Sequence, residues 1–191
     1  MAVLPIRMAG DPVLRQKCRK VRTIDASIEK LIDDMIETMR DAPGVGLAAN
    51  QVGVPLRVIV IEVPKDDERA SDRPEDWQLY VLINPQIVKR SGERQLDEGC
   101  LSIPGYKATV SRSVSVTAKG LDRNGKEVRI KAENSLLAEA LEHEIDHIKG
   151  MLYIDHLDSI EELQKIGEEP ESETGGEPEG EMKAPAARGG P

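Results

Sequence analysis

The chain's 191 residues, 39% hydrophobic and 32% charged, suffice for one domain with a buried core. The formal net charge of −9 says little about what the folded part binds, but the lack of a Lys/Arg stripe and only four aromatic residues (Trp77, Tyr80, Tyr106 and Tyr153) argue against nucleic acid as the primary ligand. No apolar run reaches the length of a membrane span, residues 1–8 lack a signal-peptide core, and Cys18 and Cys100 make no disulfide framework, so a reducing, cytoplasmic setting is expected.

Asp25 stands as an N-cap before Ile28, Leu31, Ile32, Met35 and Met39, whose spacing predicts a helix over 26–41 that Pro43-Gly44 ends. Residues 44–53 are small and Gly-rich and read as a loop where backbone can approach a ligand closely. Residues 57–63 are Val/Ile-rich and read as a strand. The charged stretch 64–76 reads as a loop before a second strand at 79–83, and 87–90 adds a third. Cys100 falls on a further loop. Val110, Val114 and Val116 then alternate as a strand does, and Asp122-Arg123-Asn124-Gly125 predicts a tight hairpin turn into a returning strand at 128–132. Asn134 or Ser135 can cap a second helix over 135–149, stopped by Gly150. Strands precede the main helix without βαβ alternation, so the expected class is α+β, with mainly antiparallel sheets packed around that helix. In residues 168–191, seven acidic and two basic residues account for −5 of the net charge, leaving −4 on residues 1–167. That Gly/Pro-rich segment has too little apolar surface to offset ordering entropy and is expected to be a disordered tail behind a folded domain at 1–167.

The second helix carries His143-Glu144-Ile145-Asp146-His147. Positions i and i+4 share a helix face, so the two imidazoles can grip one ion, with Leu136 and Ala140 extending the same stripe as an apolar flank. Leu137, Leu141, Ile145 and Ile148 form the neighbouring, core-facing stripe. Glu144 projects beside His143 within reach of a water on the metal. The ligand set needs a third member. Tyr153 stands where a metzincin would place a further His, and His156 is off that spacing and reads as a surface or packing residue. Cys100, in Glu98-Gly99-Cys100-Leu101-Ser102, is the strongest remaining candidate, while Cys18 reads as structural.

Three motifs in order now carry a resemblance: Gly44-Val45-Gly46-Leu47-Ala48-Ala49-Asn50-Gln51, Glu98-Gly99-Cys100-Leu101-Ser102 and His143-Glu144-Ile145-Asp146-His147. Together they resemble the peptide deformylase family, over most of the chain from Asp11 to Leu157. The resemblance implies a metal-dependent hydrolase that removes the formyl group from the N-terminal formylmethionine of nascent polypeptides. It implies Cys100, His143 and His147 as metal ligands, Glu144 as general base, and the Gln51 amide and Leu101 N–H as oxyanion donors. It also implies Fe²⁺ as the ion, with Zn²⁺, Ni²⁺ or Co²⁺ as substitutes, and a peptide lying extended between Gly44-Val45-Gly46 and the segment holding Ile103, Gly105 and Tyr106. The methionine side chain would then lie beside Leu136 and Ala140. Asp146 is expected to pair with Arg112 and hold the helix in register.

Two departures stand out. Glu142 occupies a position where the family commonly has Gln, and Asn50 sits at a variable point of the first motif. The basic helical extension that helps some members dock on the ribosome is replaced by the acidic segment, so only transient ribosome proximity is expected. Two rival readings remain open: a zinc peptidase taking Glu161 or Glu162 as third ligand, and a non-catalytic His₂Cys metal protein.

Overall fold

Asp25 accepts hydrogen bonds from the backbone N–H groups of Ser27 (3.0 Å) and Ile28 (3.2 Å), and helix α1 (Ala26–Asp41) begins there. Ile28, Ile32, Met35 and Met39 of the predicted stripe are buried, Leu31 is only partly so, and Ile36 joins them. Helix α2 (Leu136–His147) starts at Ser135, whose hydroxyl accepts from the Ala138 N–H, and its Leu141 and Ile145, with Ile148 just beyond, are buried. Gly150 (φ 84°) then turns the chain; a Cβ there would meet the carbonyl oxygen of Arg15 at 2.6 Å, so both conformation and space demand glycine. This computed structural model describes residues 2–65 and 76–167. The expected tail at 168–191 and most of the charged loop at 64–76 lie outside the described residues.

Eight strands follow the chain: β1 (Gly46–Ala48), β2 (Val58–Pro64), β3 (Trp77–Ser91), β4 (Arg94–Cys100), β5 (Ile103–Arg112), β6 (Ser115–Leu121), β7 (Glu127–Glu133) and β8 (Gln164–Lys165). They form a five-stranded sheet, β1-β2-β3-β6-β7, and a three-stranded one, β4-β5-β8, with every pairing antiparallel. The expected α+β class is what is found. Along β2 the two faces go to different cores. Val58 and Val60 pack with the α1 stripe, while Ile59 and Ile61 pack with Leu141, Ile145 and Ile148. Burial on both faces is why β2 reads as an unbroken Val/Ile run. None of the described helices is long and apolar enough to cross a membrane.

Several boundaries differ from the sequence reading, each for a local reason. Residues 46–48 are a strand, not loop, because they pair with Ile61, Val60 and Ile59 of β2. The strands read at 79–83 and 87–90 are one long β3 with register shifts inside it. Val110 and Val116 belong to two strands, β5 and β6. The hairpin turn spans Asp122 to Lys126, longer than an Asn-Gly turn, because the Asp122 carboxylate accepts from the N–H groups of Asn124 and Lys126, both at 2.9 Å.

Candidate metal centre

One turn of α2 brings the Nε2 atoms of His143 and His147 to 3.2 Å, and the Cys100 Sγ lies 3.3 Å from His147 Nε2. Cys100 closes β4, so it is a strand residue and not the loop residue expected from sequence. The three ligand atoms lie within 4.8 Å of one another, the one such His/Cys/carboxylate group found among the described residues. This donor set fits a borderline divalent cation. Burial and the neighbouring His143 both push the His147 imidazole well below its usual range, so it is neutral, as a ligand must be. His143 turns its Nδ1 to Glu98 Oε2 at 2.9 Å. Burial alone would lower its imidazole, but hydrogen bonds to Cys100 and Glu98 outweigh that and push it well above the usual range, so Nε2 would release its proton when a cation is bound.

Glu98 is itself held by Arg112, through Nε at 2.6 Å and Nη2 at 3.0 Å. Burial alone would raise its carboxyl, but His143 and Arg112 outweigh that and hold it down at about 2. Arg112 Nη1 also donates to Asp146 Oδ2 at 2.6 Å, so the expected Asp146–Arg112 pair is present. Asp146 gains His156 Nε2 at 3.0 Å and Lys149 Nζ at 3.0 Å. His156, expected as a surface or packing residue, therefore belongs to this polar network. The supporting role of Glu98 is absent from the sequence reading as well. Only with residues 94–100 known to be a strand would the i, i+2 spacing put Glu98 on the same face as Cys100. Arg112→Met would leave the buried Glu98 without its guanidinium and Asp146 with only the half-exposed Lys149 and His156. It is expected to lower unfolding free energy by about 3–5 kcal/mol, read by urea denaturation of the metal-loaded protein.

Both sequence departures have local explanations. Glu142 is buried, and its carboxylate accepts from the Ser113 N–H at 2.8 Å and Arg90 Nε at 2.7 Å, a pairing that suits an acid. Asn50 is buried too, and its Nδ2 donates to the His147 carbonyl at 2.7 Å, tying the first motif to the end of α2. Cys18 is buried and its thiol is pushed up to about 11 by burial, in keeping with a structural residue.

A cleft of about 640 Å³ opens beside the three ligand atoms. Gly44, Val45, Gly46, Ile103, Gly105, Tyr106, Leu136 and Ala140 all line it, with Gln51, Cys100, Leu101, His143 and Glu144, whereas His147 is buried behind them. The Gln51 Oε1 accepts from the Ala48 N–H at 2.9 Å, and this turns its Nε2 toward Ser102 Oγ (3.1 Å) and Cys100 Sγ (3.6 Å). Glu144 is fully enclosed, its Oε2 has no hydrogen-bond partner, and burial lifts its carboxyl to about 7. Such a group can take or give a proton near neutrality. Gly46 makes room for it, since a Cβ at 46 would lie 2.9 Å from both Cγ and Cδ of Glu144. Gly46→Ala should therefore shift the carboxylate and cut turnover about 100-fold at unchanged metal content.

The strand order bears on where an extended peptide could pair. β1 and β4 are edge strands of their sheets, whereas β5 lies inside its sheet between β4 and β8. Backbone groups free to pair are thus offered by β1 and β4, while Ile103, Gly105 and Tyr106 contribute cleft wall. Glu161 and Glu162, ligands in the peptidase alternative, stay outside the ligand group. Glu162 instead accepts from the Ser159 N–H at 2.7 Å.

A family model described as Polypeptide deformylase matches residues 3–163. The chain is 53% identical over 171 residues to a peptide deformylase of Dehalococcoides mccartyi, covering 90% of this chain and 96% of that one. It is 51% identical over 160 residues to one from Syntrophobacter fumaroxidans, covering 84% and 89%. Among solved structures, a peptide deformylase from Legionella pneumophila superposes with a TM-score of 0.74 at 44% identity over 84% of this chain and 89% of that one. One from Synechococcus elongatus in complex with actinonin superposes with the same TM-score at 40% identity over 83% of each. With half its residues shared across nearly its whole described length, the chain belongs to the polypeptide deformylase family.

Proposed function

We propose that this cleft removes the formyl group from the N-terminal formylmethionine of nascent polypeptides and releases formate. The observation that supports the reading most is the meeting of a Cys100–His143–His147 ligand group with a buried, unpartnered Glu144 carboxylate in one cleft. Those three residues would hold one divalent cation, with Fe²⁺ the proposed ion and Zn²⁺, Ni²⁺ or Co²⁺ its substitutes in the same donor set. When bound, such an ion supplies Lewis acidity and makes water acidic enough to be a nucleophile near neutral pH.

The protein's own groups do the rest. Glu144 accepts a proton from the attacking water as the new C–O bond forms at the formyl carbon. It returns a proton to the amine nitrogen as the C–N bond breaks, so the leaving group departs as a neutral amine. The Gln51 Nε2–H and the Leu101 backbone N–H donate to the formyl oxygen, where negative charge gathers. The peptide lies extended against the open edges of β1 and β4, and its first side chain enters beside Leu136 and Ala140. A cytoplasmic location and transient proximity to the ribosome go with that substrate. Formate release from formyl-Met-Ala-Ser by anaerobically purified protein, with metal analysis of the same sample, tests the reading. No formate at full metal occupancy overturns it.

A further inference from the structure

The lack of a Lys/Arg stripe expected from sequence is corrected by the structure. Lys17, Arg19, Lys20 and Arg22 are all exposed on the segment leading to α1, while Cys18 and Val21 between them are buried. The backbone of this segment is fixed. The Cys18 N–H donates to the Ile148 carbonyl, the Arg19 N–H to the Pro55 carbonyl and the Arg57 N–H to the Arg19 carbonyl, each at 2.9 Å. Asn84 holds Val21 by both backbone groups, accepting from its N–H and donating to its carbonyl at 2.9 Å. Arg19, Lys20 and Arg22 consequently line one hollow of about 710 Å³ with Val21 and Leu56. None of the four cations forms a salt bridge with a carboxylate among the described residues, whereas Arg40, Arg90, Arg94 and Arg123 each do. Like charges held together on rigid backbone repel one another and favour an anionic cover.

A complementary segment is tied to the same molecule. All seven acids of residues 168–191 fall between Glu168 and Glu181, ahead of Lys183 and Arg188. The segment follows Gly167, and Leu163 packs on the apolar cluster that contains Leu14, so the last described residues and the start of the stripe flank one cluster. Fully extended, residues 168–181 span about 45 Å, against a radius of gyration of about 15 Å for a domain of this size. We propose that residues 168–181 dock on the stripe of Lys17, Arg19, Lys20 and Arg22 in their own chain and cover it with carboxylates. One exposed ion pair is weak, but tethering raises the local carboxylate concentration and lets several pairs act together. None of the four residues lines the cleft, so the contact is independent of the deformylase reading. Its effect is to screen the stripe from other polyanions.

Zero-length carbodiimide coupling of the full chain, read by mass spectrometry of its peptides, tests the contact. Lys17 and Lys20 should couple to the glutamates of 168–181 about tenfold more than Lys89 and Lys126 do, which are equally exposed. Salt at about 0.5 M, which shortens the screening length to a few ångströms, should remove the excess. Arg19→Glu with Arg22→Glu keeps both lysines as targets and should bring their coupling down to that of Lys89 and Lys126, with thermal melting as the check on folding. Equal coupling at all four lysines of the native chain, or an excess that persists in the folded double variant, overturns the contact. Mixing isotope-labelled and unlabelled chains separates the sources of the carboxylates. Coupled pairs of mixed label alone would assign the stripe to a second copy and overturn docking within the chain. Retention of the native chain on immobilised poly(U) without excess coupling would assign it to nucleic acid and overturn the proposal as well.

Discussion

Replacing Glu144 by Gln is expected to lower formate release by roughly two to four orders of magnitude without loss of metal. The carboxylate is enclosed, it touches no cation of the protein by hydrogen bond, and burial holds it at about 7. A group so placed contributes little to folding and is costly to keep charged, which is the signature of a residue retained for proton transfer. Glutamine matches its volume, so the close packing on Gly46 survives and only the proton-accepting oxygen is lost. The ligand atoms of Cys100, His143 and His147 are untouched by the change. Metal content measured beside turnover therefore separates this outcome from its rival. A structural or electron-carrying His₂Cys centre would show no turnover to lose, and a variant retaining activity would remove Glu144 from the chemistry.

How much of this was legible in the sequence depends on how local the cause is. Both helices could be read because their signals lie within a turn or two: Asp25 and Ser135 cap them, and apolar residues recur at helical spacing. The two histidines could be read for the same reason. β4 could not, since Arg-Gln-Leu-Asp-Glu-Gly-Cys has almost no strand-favouring residue, and it is extended because β5 pairs with it from Arg94 to Cys100. β1 is likewise a strand imposed by β2, built from small residues that let Glu144 come close. The support beneath the metal ligands stayed hidden because its members are far apart in the chain. Glu98 meets Arg112 across 14 positions and His143 across 45, and no periodicity connects them. Glu142 looked like a departure until Ser113 and Arg90 were seen beside it.

Cys100→Ser should cost metal first and activity as a consequence. A serine hydroxyl stays protonated and is a hard, weak donor, whereas the thiolate is an anionic, soft ligand for borderline cations. The Ser102 N–H and the Gln51 Nε2 both point at Sγ, at 3.4 Å and 3.6 Å, and fix the position of the sulfur. Without it, two neutral imidazoles remain, and affinity is expected to fall by on the order of 100-fold or more. Formate release should fall in proportion to bound metal, and an excess of Zn²⁺ or Co²⁺ should restore only part of it. The peptidase alternative expects the opposite, because there the thiol is a bystander and a glutamate completes the set. Dialysis against a chelator followed by metal analysis decides between them, with thermal melting as the check that the variant is folded. A chain that kept its metal through this substitution would need a third ligand beside His143 and His147, and no His, Cys, Asp or Glu among the described residues other than Cys100 is placed to be one.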